Sequence, residues 1–223
     1  YSQIELRLLA HFSKDPKLLS SFEQNLDIHA KTASEIFNVP LSLVDKEMRR
    51  KAKAVNFGIV YGISDYGLSQ SIHTTRNEAK IFIEKYFETY PKVKQYLENS
   101  IEFAKTNGFV KTLFNRRRMI DELNSHNYNL KQFGERVALN MPLQGTASDI
   151  IKLAMINIEN ELKKQNLKSK LILQIHDELI VDTFPTEVEI VKQILITNMQ
   201  NVVKLNVPLI VNVSVGDNLY DAK

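Results

Sequence analysis

Arg49, Lys53, Phe57 and Tyr61 recur at intervals of four residues. On a helix each such step drifts only about 40° around the axis, so the four side chains share one stripe about 18 Å long. Two cations come first and two aromatic rings follow. A nucleotide has the matching layout, with anionic phosphates at one end and a flat base at the other. The same stripe also suits an amphipathic helix whose rings face a core while its cations stay in water. Gly58, Gly62 and Gly67 lie beside it, three of only seven glycines in the chain. Close approach by a ligand or by a neighbouring backbone accounts for such a concentration.

A second row, Arg136, Asn140 and Gln144, has the same spacing and is followed by Gly145. Such side chains can donate into a DNA minor groove, where every base pair presents acceptors at similar places, so pairing is sensed without sequence. A plain polar helix face would read the same way. The third feature is the adjacent pair Asp177 and Glu178, set between the β-type runs LILQI (171–175) and LIVD (179–182). Neighbouring carboxylates suit Mg²⁺, a hard cation that takes oxygen ligands and keeps waters and substrate phosphates around it. They are equally ordinary at the exposed tip of a hairpin. A His-Asp phosphohydrolase centre at His176-Asp177 would want partner histidines in matching contexts. His11, His29, His73 and His126 show no such arrangement.

These features need a helix-rich scaffold, and the composition supplies one. The 223 residues are 43% hydrophobic and 25% charged, and hold only seven glycines and six prolines. That excludes a disordered chain and leaves little material for linkers. With no cysteine, disulfide frameworks, thiolate metal sites and cysteine nucleophiles are excluded. No run of about 18 apolar residues is present, so no membrane-crossing helix is expected. The net charge of +3 is mild, yet six of eight arginines sit at 49, 50, 116–118 and 136. That clustering fits a phosphate-facing surface or a solvated face.

Periodicity predicts helices over 3–12 and 28–37, and another over 46–61 capped by Asp45 and ended by Gly62. Further helices are predicted over 75–89 and 91–106, with Gly108 as the stop. A short hairpin is expected at 109–120 around Asn115. A long helical stretch follows at 126–165, with a kink or break at Pro142 and Gly145. The two β-type runs around residue 177, a helix at about 185–203 and a third strand at 208–215 complete the pattern.

Taken in order, the motifs resemble the family A DNA polymerases, the bacterial DNA polymerase I type. YSQIELR at 1–7 resembles the end of motif A, RRKAKAVNFGIVYG at 49–62 resembles motif B, and QIHDE at 174–178 resembles motif C. DIHAKTASEIF at 27–37 and NMPLQGTASDIIK at 140–152 resemble further blocks of that family. The resemblance implies an α+β, helix-rich fold: a partial right-hand polymerase with helical fingers and an antiparallel β-sheet palm, the thumb absent. Residues 1–22 and 129–223 would be palm, and 23–128 fingers.

The resemblance also implies roles. Arg49 and Lys53 would hold the triphosphate of a dNTP, with His29 at its far end and Lys53 as general acid to pyrophosphate. Phe57 would pack on the incoming nucleotide, Tyr61 would sit where the templating base enters, and Gln3 would line the nucleotide site. Glu5 would be the gate against a ribose 2′-hydroxyl. Arg136, Asn140, Gln144 and His176 would contact primer-template DNA. Asp177 and Glu178 would bind Mg²⁺, two ions in the complete enzyme, with the Tyr1 carbonyl as a further ligand. The expected reaction is two-metal phosphoryl transfer, with the 46–61 helix closing on a fitting base pair.

One departure stands out. The family places a metal-binding aspartate immediately before the Tyr-Ser-Gln of motif A, one position ahead of Tyr1. The expectation is therefore a portion that relies on N-terminal polymerase segments as partners and is inactive or nearly so as the isolated chain. Asn115 stands where a glycine is expected and Leu219 where an aromatic is common. The alternatives are a single-subunit RNA polymerase relative, against which Glu5 argues, and a non-catalytic DNA-binding remnant, against which intact Lys53, Tyr61 and Asp177 argue. A bacterial, cytoplasmic, nucleoid-associated setting without membrane attachment follows from the resemblance.

Overall fold

The computed structural model describes residues 1–222. Seven helices come first: α1 (Ile4–Ser13), α2 (Pro16–Glu23), α3 (Ile28–Phe37), α4 (Lys46–Val60), α5 (Asp65–Ile72), α6 (Arg76–Thr89) and α7 (Pro91–Asn107). An antiparallel hairpin, β1 (Phe109–Lys111) and β2 (Arg117–Met119), leads to α8 (Tyr128–Lys164). A second antiparallel hairpin, β3 (Lys170–Ile175) and β4 (Glu178–Asp182), is followed by α9 (Val188–Gln200). Among the described residues no helix is long and apolar enough to cross a membrane.

The helix starts are written in side chains that satisfy the first free amides. Asp15, Asp27, Asp45, Ser64 and Thr75 each accept from backbone N–H groups two or three positions on. Beyond α4 the chain turns at Gly62, whose φ of 63° lies in the left-handed region. A Cβ there would also stand 3.0 Å from Leu139 Cδ1, so the turn needs glycine twice over.

The chain divides into two compact units. One comprises Glu5–Thr146, the other Tyr1–Ile4 with the chain from Ala147 onward. In the larger unit, Leu9, Leu18, Ile28, Val55, Leu68 and Tyr86 are buried. A second cluster there, including Ala104, Val110, Ile120, Leu123 and Val137, seats the β1–β2 hairpin against α7 and α8. The smaller unit packs Ile151, Ile158 and Leu162 of α8 against Val191, Ile194 and Met199 of α9, with Leu179 and Val181 of β4.

Three features differ from the expectations. First, the break expected at Pro142 and Gly145 does not occur: α8 continues through both as a single 37-residue helix. Proline removes one ladder hydrogen bond, but buried Leu139, Leu143 and Thr146 anchor the helix on both sides of it. The Thr146 hydroxyl donates to the Pro142 carbonyl at 2.5 Å. Second, residues 208–215 form no strand. Ser2 N–H donates to the Ile210 carbonyl at 2.8 Å, but the next residue, Gln3, is left-handed at φ 56°. Helix α1 then begins at Ile4, so no ladder extends along this stretch. Third, α2 and α5 are short helices in segments where the apolar pattern is too brief to predict one. The last helix is also shorter than expected, with a 3₁₀ turn at Pro185–Glu187 preceding α9.

Candidate functional site

The predicted stripe exists, on α4 and in the larger unit. Arg49 and Lys53 are exposed, Phe57 is half-buried and Tyr61 is exposed at the helix end. Lys53 Nζ lies 5.9 Å from the centre of the Phe57 ring, within reach of a cation–π contact. Beside the two aromatic rings opens a cleft of about 470 Å³, lined also by Gly58, Gly62, Gln132 and Arg136. Gly58 and Gly62 line this cleft, but a Cβ at Gly58 would stand 2.5 Å from Ile63 Cγ2 and one at Gly67 3.1 Å from Ile63 Cγ1, so packed side chains, and neither a ligand nor a neighbouring backbone, account for the glycines.

Helix α3 packs against α4 and delivers His29 to the stripe. Its ring centre is 5.8 Å from that of Phe57, the planes tilted by 37°. His29 is only 3% exposed. Burial pushes its pKa down to about 4; the Arg49 and Lys53 charges act in the same direction, and Asp27 opposes them. Asp27 caps α3 by accepting from the His29 and Ala30 amides, while its other oxygen accepts from Arg49 Nε at 2.6 Å. Burial alone would raise the Asp27 carboxyl, but the Arg49 bond and charge and the two helix-start amides outweigh it and hold it low.

Tyr61 donates its hydroxyl to Glu5 Oε2 at 2.9 Å. Burial raises the phenol pKa; the Glu5 bond and charge add to the rise, and the Gln144 side chain opposes it. Arg136, Asn140 and Gln144 share one face of α8, as their spacing predicted. Arg136 and Gln144 are exposed, while Asn140 is half-buried with its Oδ1 unpartnered.

The remaining predicted residues belong to the smaller unit. Ile175 pairs with Glu178, which leaves His176 and Asp177 as a two-residue turn. His176 sits in the left-handed region at φ 53°, and its carbonyl accepts from Gln174 Nε2 at 2.9 Å. Positive φ is what a tight two-residue hairpin turn calls for. The Tyr1 nitrogen donates to the Asp177 carbonyl at 3.0 Å, and the Tyr1 hydroxyl to the Met199 carbonyl at 2.9 Å. Burial lifts the Tyr1 phenol far above its ordinary value. Gln3 is half-buried.

Among the described residues no group of three or more His, Asp or Glu side chains gathers as a metal cage. Asp177 and Glu178 are consecutive carboxylates, and carboxylate oxygens are the hard donors that Mg²⁺ takes, water and phosphate completing its shell. The Tyr1 nitrogen, not its carbonyl, is the atom bonded at Asp177.

Two neighbours of the site were not predicted. Asp27 is 22 residues from Arg49, and only its place before IHA marks it, as a helix cap. Asn56 is 0% exposed and bonds His29, yet it lies one position off the four-residue stripe. A polar residue inside the apolar run AVNFGIV is the signal that could have found it.

Residues 1–221 match the family model described as DNA polymerase family A. The chain is 57% identical over 223 residues to DNA polymerase I of Caldicellulosiruptor bescii and 52% identical to DNA polymerase I of Bacillus subtilis. All of this chain is covered in both matches, against 26% and 25% of those relatives, so it spans about a quarter of their length. A solved structure, the POL domain of Pol1 from M. smegmatis in complex with DNA primer-template and dNTP, superposes with a TM-score of 0.96. It is 40% identical, and the match covers 100% of this chain and 39% of that one. The motifs, the α4 stripe and the extent of these likenesses agree: the chain belongs to DNA polymerase family A.

Proposed function

We propose that this chain is the nucleotide-selecting and catalytic portion of a DNA-directed DNA polymerase, adding deoxynucleotides to a primer 3′-hydroxyl on a DNA template. The observation that carries the reading is the α4 stripe: Arg49, Lys53, Phe57 and Tyr61 in one row, with His29 against Phe57 and a cleft at the aromatic end. The M. smegmatis neighbour, solved with primer-template and dNTP, supports the same substrates. Residues 23–128 would act as fingers, and 1–22 with 129–223 as palm. The segments making up the rest of the relatives' length would be its partners in cis or in trans. A cytoplasmic setting beside the nucleoid goes with that substrate.

In this reading Arg49 and Lys53 bind the triphosphate, and His29 donates a hydrogen bond at its far end. Phe57 stacks on the incoming nucleotide, and Gln3 lines its site. Tyr61 occupies the entrance of the templating base, and its hydroxyl holds Glu5 where a ribose 2′-hydroxyl would otherwise fit. Arg136, Asn140, Gln144 and His176 contact the duplex. In the reaction the primer 3′-hydroxyl gives up its proton to solvent water, its oxygen bonds to the α-phosphorus, and the bond from that phosphorus to the pyrophosphate oxygen breaks. Lys53 gives a proton to the departing pyrophosphate. Asp177, Glu178 and the Tyr1 carbonyl would hold Mg²⁺, which when bound neutralises phosphate charge and favours the alkoxide form of the primer hydroxyl.

The test is a dNTP titration into the chain with primer-template and Mg²⁺. Saturable binding is expected, weakened about tenfold or more in Lys53→Ala, the value of one charge-assisted hydrogen bond. Equal affinity in the two proteins would overturn the reading.

A further inference from the structure

His29 is buried, yet its ring carries one ordered hydrogen bond, from a residue to which the nucleotide reading assigns no part. Asn56 Nδ2 stands 3.1 Å from His29 Nδ1. The other end of the same amide, Oδ1, accepts from the Thr32 hydroxyl at 3.1 Å. Asn56 and Thr32 are each 0% exposed, so these two groups link α3 to α4 out of reach of bulk solvent. A neutral imidazole has one N–H and one lone pair, and the bond made by one nitrogen decides what the other offers. With Oδ1 taken by Thr32, the amide presents N–H to Nδ1, which must then be the lone pair.

We propose that Asn56, itself oriented by Thr32, is a positioning residue that fixes His29 as the neutral tautomer with its proton on Nε2. The consequence rests on the nucleotide reading above: His29 then meets a phosphate oxygen as an oriented donor and not as a third cation. The charge is left to Arg49 and Lys53. The charged groups facing the ring agree with a neutral state. Arg49 and Lys53 repel a second positive charge, and Asp27 is already paired with Arg49. The opposite tautomer would turn the Nε2 lone pair toward the phosphate, where it repels oxygen.

Long-range ¹H–¹⁵N correlation spectra of the ¹⁵N-histidine-labelled chain at pH 7.5 read the tautomer directly and need no variant. The expected pattern for His29 is a protonated Nε2 and a bare Nδ1. A protonated Nδ1, or an imidazolium, overturns the proposal. Asn56→Asp offers only acceptors, so it should move the proton to Nδ1 or raise the His29 pKa by about a unit or more. A His29 signal unchanged in Asn56→Asp also overturns it, since a merely space-filling Asn56 would not govern the proton. Thr32→Val should leave a mixture of the two tautomers. Triphosphate affinity is measured separately. If the tautomer flips in Asn56→Asp while dATP affinity stays the same, the lock stands and the phosphate role of His29 falls.

Discussion

His29 is an imidazole kept neutral by its surroundings, and its neutrality makes folding depend on pH. Its folded pKa of about 4 lies below the ordinary 6.5, so between these values the unfolded chain binds the proton first. The stabilisation is fully present above about pH 6.5 and is lost as pH falls toward 4. Denaturant midpoints measured from pH 7 to 4.5 should fall more steeply in the wild type than in His29→Gln; equal slopes would refute this. Asp27 and Arg49 form a pair in which both side chains are nearly half exposed, at 42% and 45%. Such a pair contributes little to folding, but it occupies the guanidinium that the triphosphate needs. Asp27→Asn keeps the helix cap, since asparagine caps as well as aspartate. It should raise dNTP affinity about two- to fivefold, the value of one exposed ion pair. Equilibrium titration checks it, and a weakened affinity would contradict the competition.

Between elements, hydrogen bonds fasten the β1–β2 hairpin to α8 in addition to the apolar cluster that seats it. Leu113 N–H donates to Thr146 Oγ1 at 3.0 Å, Thr146 donates onward to the Pro142 carbonyl, and Arg116 Nη2 donates to the Gly145 carbonyl at 2.8 Å. Gly145 permits this approach, because a Cβ there would stand 2.7 Å from Thr112 Cγ2. Thr146→Val keeps the shape and removes the hydroxyl, leaving the Leu113 amide without its acceptor. A decrease of about 1–3 kcal/mol is expected in urea unfolding, the cost of an unsatisfied buried group. A change below about 0.5 kcal/mol would mean that the amide finds another partner. At this joint the sequence misleads when read locally. Pro142 and Gly145 look like breakers in isolation, yet here the proline sits in an anchored helix and the glycine is a contact surface.

For the molecule as a whole the relevant quantity is charge. A net +3 spread over 223 residues is weak, but Arg116, Arg117 and Arg118 stand exposed on one hairpin, with Arg117 stacked over the Phe109 ring at 4.6 Å. If the proposed DNA partner is held through such groups, affinity should fall linearly with the logarithm of salt concentration. Arg117→Ala with Arg118→Ala should reduce that slope by about 0.9 for each phosphate that is no longer neutralised. Fluorescence anisotropy with a labelled primer-template measures it, and an unchanged slope would remove the hairpin from the DNA surface. The division into two compact units falls in the chain between Ile4 and Glu5 and, within α8, between Thr146 and Ala147, with no composition shift or linker in the sequence to mark it.

What the sequence determined by itself was local and periodic. The cap at Asp45, the stop at Gly108 and the turn at Asn115 act within a few residues of themselves. The stripes on α4 and α8 follow from helical spacing alone, and the ordered motifs carried the family. Tertiary structure decided what depends on distant partners. Residues 208–215, bonded through Ile210 to Ser2, form no strand despite their pattern, and whether Pro142 broke α8 turned on the packing around it. Arg49 meets Asp27, and His29 meets Asn56 and Thr32, only because α3 lies against α4. Hydrogen bonds between side chains 22 to 27 residues apart leave no periodic trace, because backbone geometry sets spacing along a helix and packing alone sets which helices touch.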